Sequence, residues 1–181
     1  MPELIASYLK PDAQVDCHVL TCSHTKQEWL DRCLKSLESE PCNVFVIRGV
    51  DGHIGQGRAF GYSQGSAPYV TFVDDDDYVI EGVIGVCLAA LNDYSAVVTK
   101  EYVEYADGSR YRMPVSNHHL VVYRRSDIAL LLADIASMPY RSECMIRTHI
   151  SPVNLDFIGY VWNVDGTGSH YTAADANGVP L

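Results

Sequence analysis

Four consecutive aspartates, Asp74 to Asp77, directly follow the apolar run Val70 to Val73. An apolar run of this length is typical of a buried strand, but carboxylates within about 4–6 Å of one another repel and raise each other's pKa. The strand must therefore end at the aspartates, at an edge of its sheet. Two interpretations follow: a divalent cation held by carboxylate oxygens, or a solvated acidic turn that caps a helix beginning near Ile80.

Strand-like and helix-like segments alternate on both sides of this motif. Three apolar strands are separated by two helices and followed by a third, an order typical of βαβ units with parallel strands. We predict one domain over residues 1–181, a three-layer α/β/α sandwich with a mostly parallel central sheet. Ligands of such sheets bind at the carboxyl ends of the strands, where the aspartates lie. The predicted strands are 15–22, 43–50, 69–73, 119–125 and 156–164, with a hairpin over 95–113, and the predicted helices are 27–38, 55–63, 80–92, 126–138 and 142–150.

Charge and composition narrow the class of protein. The formal net charge of −10 argues against a surface that binds nucleic acid as a whole, yet residues 108–149 carry six arginines and only three acidic residues. That segment is either ordinary surface charge or a groove for a diphosphate or an anionic acceptor. No apolar run reaches the roughly 18 residues of a membrane span, and the N-terminus does not resemble a signal peptide. We expect a cytoplasmic protein whose six cysteines are reduced.

Several common catalytic motifs do not fit. The sequence contains no Gly-x-x-x-x-Gly-Lys-Ser/Thr loop, no Gly-x-Ser-x-Gly elbow and no His-Glu-x-x-His helix. Gly55-Gln-Gly57 begins like a dinucleotide-binding fingerprint, but Phe60 stands where that fingerprint needs its third glycine. A nicotinamide cofactor is therefore not expected.

The segment 55–79, GQGRAFGYSQGSAPYVTFVDDDDYV, resembles the central signature of family-2-like glycosyltransferases with the GT-A fold. In that family a small-residue helix carries a basic residue, here Arg58, and an aromatic strand ends in Asp-x-Asp-Asp, here Asp74 to Asp77. Weaker similarities in HHLVVYRRSDI, SECMIRTHI and YVWNVDGTGSHY extend the resemblance over about residues 15–171.

The resemblance implies a role for each matching position. Glu143 would be the general base that deprotonates an acceptor hydroxyl, and Asp76 and His170 would hold Mn²⁺ or Mg²⁺. Asp75 is the aspartate expected to tolerate replacement. The structural alternatives are a helix N-terminal acid for Glu143, a surface histidine for His170 and a surface ion pair for Arg58. The positions expected to bind the donor are Thr21, Ser23, Asp51, Arg58, Asp74, Asp75, Asp77 and Arg124.

Two departures from the family pattern bear on these roles. Relatives usually carry Asp-Asp-x-Ser after the second strand, where this chain has only Asp51 in RGVDGH. They also carry Glu-Asp where this chain has Glu143 followed by Cys144. The first departure concerns the identity of the donor, and the second concerns the catalytic base.

The function implied is metal-dependent transfer of a sugar from a nucleotide-diphosphate sugar, most simply a UDP-sugar, to an acceptor hydroxyl, with inversion. Compact family members occur in tailed phages, and some of them glycosylate hydroxymethylated bases in DNA. Hydroxymethylated DNA, saccharides and proteins are therefore the candidate acceptors. The alternatives are a nucleotidyltransferase that uses the same aspartates for Mg²⁺ and a non-catalytic sugar-nucleotide-binding module.

Overall fold

A computed structural model describes residues 1–113 and 119–164 of the chain. Its nine strands form one mixed sheet with six helices packed on it. The strands are β1 (Glu3–Tyr8), β2 (Val15–Thr21), β3 (Cys42–Arg48), β4 (Tyr69–Asp74), β5 (Tyr78–Val79), β6 (Ala96–Tyr105), β7 (Arg110–Arg112), β8 (Val121–Arg124) and β9 (Val153–Val164). The helices are α1 (Gln27–Leu37), α2 (Ile54–Tyr62), α3 (Val83–Ala90), α4 (Arg125–Ala129), α5 (Leu132–Ser137) and α6 (Ser142–His149).

The strand order is β1-β3-β2-β4-β8-β6-β9-β5, with β7 paired to β6. Strands β3, β2 and β4 run parallel and form the half of the sheet that the sequence predicts. The other half is mixed: β8 is antiparallel to both β4 and β6, whereas β9 is parallel to β6. The α/β class is confirmed, with a sheet that is mixed overall rather than mostly parallel.

Two apolar cores, one on each face of the sheet, produce the predicted three layers. Along β4, Val73 belongs to one core while Val70 and Phe72 belong to the other, because successive side chains of a strand point to opposite faces. Helices α1 and α3 cover the first core, and α2, α4, α5 and α6 cover the second. Each helix therefore shields one face of the sheet.

The structure corrects three predicted elements. The helix expected over 126–138 is two short helices, because Leu130 between them is 84% exposed and the apolar run there is not one continuous buried face. The helix expected from residue 80 begins at Val83, because the Ile80 amide donates to the Gly159 carbonyl of β9 at 3.0 Å and Gly82 has a left-handed backbone conformation. Strand β1, which the sequence pattern does not reveal, lies antiparallel at the edge of the sheet with most of its side chains exposed.

All six cysteines are free, as predicted, and Cys87 is fully buried in α3. Among the described residues, no helix is both long and apolar enough to cross a membrane.

Helix α2 packs unusually close to the sheet because it carries glycines on its inner face. A Cβ atom added at Gly61 would lie 2.5 Å from the ring of His18 on β2, and one added at Gly57 would lie 2.4 Å from Leu20. The small residues of GQGRAFGY are thus a packing requirement. They bring the backbone of α2, and with it Arg58, against the strands.

This close packing predicts opposite effects for two glycine substitutions. Gly61→Ala should lower the free energy of unfolding by about 2 kcal/mol, because the buried His18 ring cannot move aside. Gly85→Ala in α3 should raise it by about 0.5–1 kcal/mol, because nothing lies within 4 Å of the added Cβ and alanine favours helix. Urea denaturation of both variants measures the difference, and equal effects would contradict the close approach.

Candidate active site

The acidic turn Asp74–Asp77 lies where the parallel strands end. Strand β4 ends at Asp74, which is in register with Leu20 near the end of β2. The loop after β3 reaches the same edge, where the Ser23 amide donates to the Asp51 carboxylate at 3.1 Å. The predicted donor-binding positions on β2 and after β3 are therefore brought together with the aspartates.

Thr21 contributes to this edge in a different way from Ser23 and Asp51. Its hydroxyl is buried and donates to the Ile47 carbonyl at 3.1 Å, so it ties β2 to β3. Ser23 and Asp51 are exposed and accessible to a ligand.

Arg58 is the buried counter-ion of Asp74. Its guanidinium forms an ion pair with the Asp74 carboxylate and lies 3.5 Å above the centre of the Phe72 ring. Only 5% of the Arg58 side chain is exposed, against 28% for Asp74. Burial alone would lower the pKa of Arg58, but the charges of Asp74 and Glu143 outweigh it and raise that pKa. The surface ion pair considered for Arg58 is thus a buried one.

Asp75 and Asp76 both have raised pKa values in the acidic turn. Asp75 accepts a hydrogen bond from the Thr25 hydroxyl; burial raises its pKa to about 6, although the Thr25 hydrogen bond opposes the shift. Burial and the charges of Asp74 and Asp75 raise the pKa of Asp76 to about 7. The Asp76 carbonyl accepts from Arg32 of α1 at 2.6 Å, which holds the backbone of the turn.

Asp77 is fully buried, and both of its carboxylate oxygens have internal partners. The Tyr160 hydroxyl donates to one oxygen at 2.6 Å, and the Asn163 amide donates to the other at 2.8 Å. Burial and the charge of Asp76 raise the pKa of Asp77 well above its usual range. Although we expected Asp77 at the donor, these contacts anchor it to β9.

A buried histidine, which our sequence reasoning did not assign to the site, stands beside the turn. His119 Nδ1 lies 2.8 Å from the Glu101 carboxylate, and its ring stacks on Tyr160 with centroids 4.9 Å apart. Burial lowers the pKa of His119, but the hydrogen bond to Glu101 and the nearby carboxylate charges raise it overall, to about 9. Two aspartates, a glutamate and a histidine thus face one small region.

The donor set at this point fits a divalent cation. One ligand atom each from Asp74, Asp77 and His119 lies within 4.8 Å of the other two. Carboxylate oxygens and an imidazole nitrogen are ligands that divalent transition ions accept. Asp76, the ligand that the sequence predicts, is outside this group of three, and His170 lies outside the described residues.

Arg124 is misplaced for donor binding, which corrects the sequence-based prediction. It pairs with Tyr69 at the start of β4, about 16 Å along the strand from Asp74. The neighbouring Arg125 is also committed elsewhere, donating to the carbonyls of Ala67 at 2.7 Å and Tyr62 at 2.8 Å. Neither guanidinium lies at the edge that holds the aspartates.

Three arginines of the segment 108–149 bear on whether it forms one groove: Arg110, Arg112 and Arg124. Arg110 forms an ion pair with Glu104 near the end of β6. The backbone amide of Arg124 donates to the Ser95 carbonyl just before the start of that strand, about 30 Å away. Arg112 is paired with Asp156. Arg110 and Arg124 therefore do not line one groove.

Glu143 lies in the first turn of α6, half-buried, on the side of the sheet that α2 covers. Its charge raises the pKa of Arg58, and also the pKa values of Tyr62 and Tyr123, so its carboxylate is near the Arg58–Asp74 pair. The Ser142 hydroxyl donates to the Glu143 carboxylate at a long 3.4 Å. This position suits either a base or a helix N-terminal acid.

The family model for glycosyl transferase family 2 matches residues 27–151, which include the acidic turn and Glu143. The chain belongs to glycosyltransferase family 2. A comparison with curated protein sequences found no significant match for this family 2 chain.

Solved structures share its GT-A fold at low sequence identity. S. aureus TarS 1–349 in complex with UDP-GlcNAc matches 90% of this chain and 61% of its own length, with a TM-score of 0.65 and 14% identity. The same TarS fragment with UDP matches 83% of this chain and 60% of its own length, with a TM-score of 0.61 and 14% identity. The bifunctional IspDF from Campylobacter jejuni matches 87% of this chain and 50% of its own length, with a TM-score of 0.52 and 10% identity. This family 2 chain spans about three fifths of TarS 1–349.

Sequence reasoning missed the residues of β6 and β9 that support the aspartates. The sequence does contain a signal for Glu101. Its side chain lies on the buried face of β6 together with Thr99 and Val103, where a charged residue is unusual. His119 and Tyr160 carry no such signal, because histidine and tyrosine are ordinary residues of strands and their ends.

Removing the Tyr160 hydroxyl tests the support of the turn. Tyr160→Phe should lower the free energy of unfolding by about 2 kcal/mol, because a buried carboxylate loses a charge-assisted hydrogen bond. Tyr94→Phe, at a tyrosine that is 44% exposed, is the matched control and should have no measurable effect. Urea denaturation compares the two, and indistinguishable midpoints would exclude a supporting role for Tyr160.

Proposed function

We propose that this chain transfers a hexosyl group from a UDP-sugar to an acceptor hydroxyl, with inversion and with the help of Mn²⁺ or Mg²⁺. The observation that carries the proposal is the acidic turn at the carboxyl end of β4, beside the ends of β2 and β3, in a member of family 2. The fold it shares with TarS, whose structures contain UDP-GlcNAc and UDP, supports a nucleotide-sugar donor.

The donor would lie across the strand ends. Ser23 and Asp51 are exposed there and can contact the base and ribose, and Asp74 faces the same edge. Arg58 holds the Asp74 carboxylate in place rather than contacting the donor through an exposed face. In the proposed complex, a cation held by Asp76, the neighbouring aspartates and His170 would offset charge on the departing diphosphate as a Lewis acid.

Glu143 is the proposed base. In the displacement, the acceptor oxygen forms a bond to the anomeric carbon while the bond from that carbon to the diphosphate oxygen breaks. The acceptor proton passes to the Glu143 carboxylate, and UDP leaves with the electron pair. A single displacement of this kind inverts the anomeric configuration.

The acceptor is either a hydroxymethylated base in DNA or a saccharide. Arg110 and Arg124 lie far apart and Arg112 is paired with Asp156, so these three do not form a continuous track for a phosphate backbone, which favours a saccharide. Mass spectrometry of DNA nucleosides from the source of the chain, searched for an added hexose, decides between the two. A hexosylated nucleoside that disappears when the gene is removed would establish DNA.

Release of UDP tests the activity and the metal requirement together. Incubation with UDP-glucose and UDP-GlcNAc in Mn²⁺ should release UDP, and Asp76→Ala or a chelator should abolish the release. Asp93→Asn, at an exposed residue after α3, should retain it. Full activity of Asp76→Ala in chelator would refute the metal role. A nucleotidyltransferase would instead release pyrophosphate from a nucleoside triphosphate and a sugar phosphate, and a binding module would release nothing.

Replacing the base separates chemistry from binding. Glu143→Gln should lower kcat by about 100-fold or more while leaving the Kd for UDP within a factor of about three, because the amide fills the same space but cannot accept the proton. Steady-state kinetics and UDP titration measure the two quantities, with Glu28→Gln on exposed α1 surface as the control. An unchanged kcat would remove Glu143 as the base.

A further inference from the structure

The buried pair formed by His119 and Glu101 has no role in the proposed mechanism. Only 4% of the His119 side chain and 1% of the Glu101 side chain are exposed. Taking two such groups out of water is costly unless their geometry is good or they serve a ligand. Glu101 lies on strand β6 and His119 lies just before β8, and the His119 ring reaches the acidic turn.

The orientation of the His119 ring is fixed on several sides. Nδ1 is directed to the Glu101 carboxylate at 2.8 Å, and the ring plane lies within 7° of the plane of Tyr160. Trp162 contacts it from another direction, with ring centroids 5.4 Å apart. With Nδ1 directed to Glu101, Nε2 is the nitrogen through which His119 would contact an ion. A histidine that binds a metal through one nitrogen commonly has its other nitrogen held by a carboxylate in this way.

The spacing of the three ligand atoms suits one ion. Bonds of about 2.1–2.2 Å place opposite ligands of an ion about 4.3 Å apart and adjacent ligands about 3 Å apart. The ligand atoms of Asp74, Asp77 and His119 lie within 4.8 Å of one another. Small side-chain movements would therefore bring all three into contact with a single cation.

We propose that His119, oriented by Glu101, is a ligand of the divalent cation and makes the site favour Mn²⁺ over Mg²⁺. The inference rests on the proposed metal dependence and goes beyond it, because it assigns a further histidine ligand and chooses between the two ions. Mg²⁺ prefers oxygen ligands in a near-ideal octahedron and retains its waters, whereas Mn²⁺ accepts an imidazole nitrogen more readily. Glu101 is a positioning residue that acts through His119.

Titration of the full chain with MnCl₂ and with MgCl₂, each in the presence of UDP, tests this assignment. Free Mn²⁺ is followed by electron paramagnetic resonance, Mg²⁺ is followed by competition, and UDP without protein is the blank. His119→Gln should weaken Mn²⁺ binding at least about 10-fold while changing Mg²⁺ binding less than about threefold. Glu101→Gln should weaken Mn²⁺ binding by about 10-fold, the lower end of the range for such supporting residues. His149→Asn, at an exposed histidine of α6, should change neither.

A second measurement does not depend on a His119 variant that folds. In His170→Gln, bound Mn²⁺ should still show coupling to an imidazole ¹⁴N nucleus by pulsed electron paramagnetic resonance. Absence of that coupling, or equal weakening of both ions in His119→Gln, would overturn the assignment of His119. If the unaltered chain binds neither ion, the metal dependence proposed above fails as well. If it binds Mn²⁺ and His119→Gln binds it equally well, only the present inference fails.

Discussion

The repulsion among four adjacent carboxylates is the constraint on which the site depends. Each aspartate has a different environment: Asp74 faces Arg58, Asp75 accepts from Thr25, and Asp77 accepts from Tyr160. Burial and the charges of Asp74 and Asp75 raise the pKa of Asp76 to about 7. These separate partners stabilise the turn. A bound cation would offset the repulsion that remains among the carboxylates.

These partners reach the turn from both halves of the sheet. Arg58 comes from α2, whose glycines allow it to pack closely on the parallel strands. Tyr160 lies on β9 in the mixed half. The two residues after Asp77 form β5, and β5 pairs with β9 as well. The turn is therefore anchored at its first and last aspartate by different halves of the fold. Loss of packing in either half should alter the spacing of the carboxylates.

The sequence predicted the main strands of both halves, but it did not predict β5 or how the strands of the mixed half pair, for a physical reason. Strands β2, β3 and β4 are buried on both faces and read as apolar runs, and the aspartates mark where β4 stops. Short elements such as β5 exist only because a distant strand pairs with them, which no local pattern reveals. Arg124 shows the same limit, because its neighbourhood depends on β8 running antiparallel to β4. The resemblance of Arg124 and Arg125 to the Arg pair of the family could not indicate at which end of β4 Arg124 would lie.

The position of His119 illustrates how strand topology creates a site that the sequence alone does not reveal. His119 lies 42 positions after Asp77 in the chain, yet β6, β8 and β9 bring it to the acidic turn, with Tyr160 stacked on its ring. Tyr160 touches three members of the arrangement, since it stacks on His119, donates to Asp77 and accepts from the Asp74 amide at 3.3 Å. A single buried tyrosine thus couples the histidine, the last aspartate and the end of β4. Because these contacts form on folding, the ligand groups are held in place before any ion or donor arrives, and binding need not supply the free energy to order them.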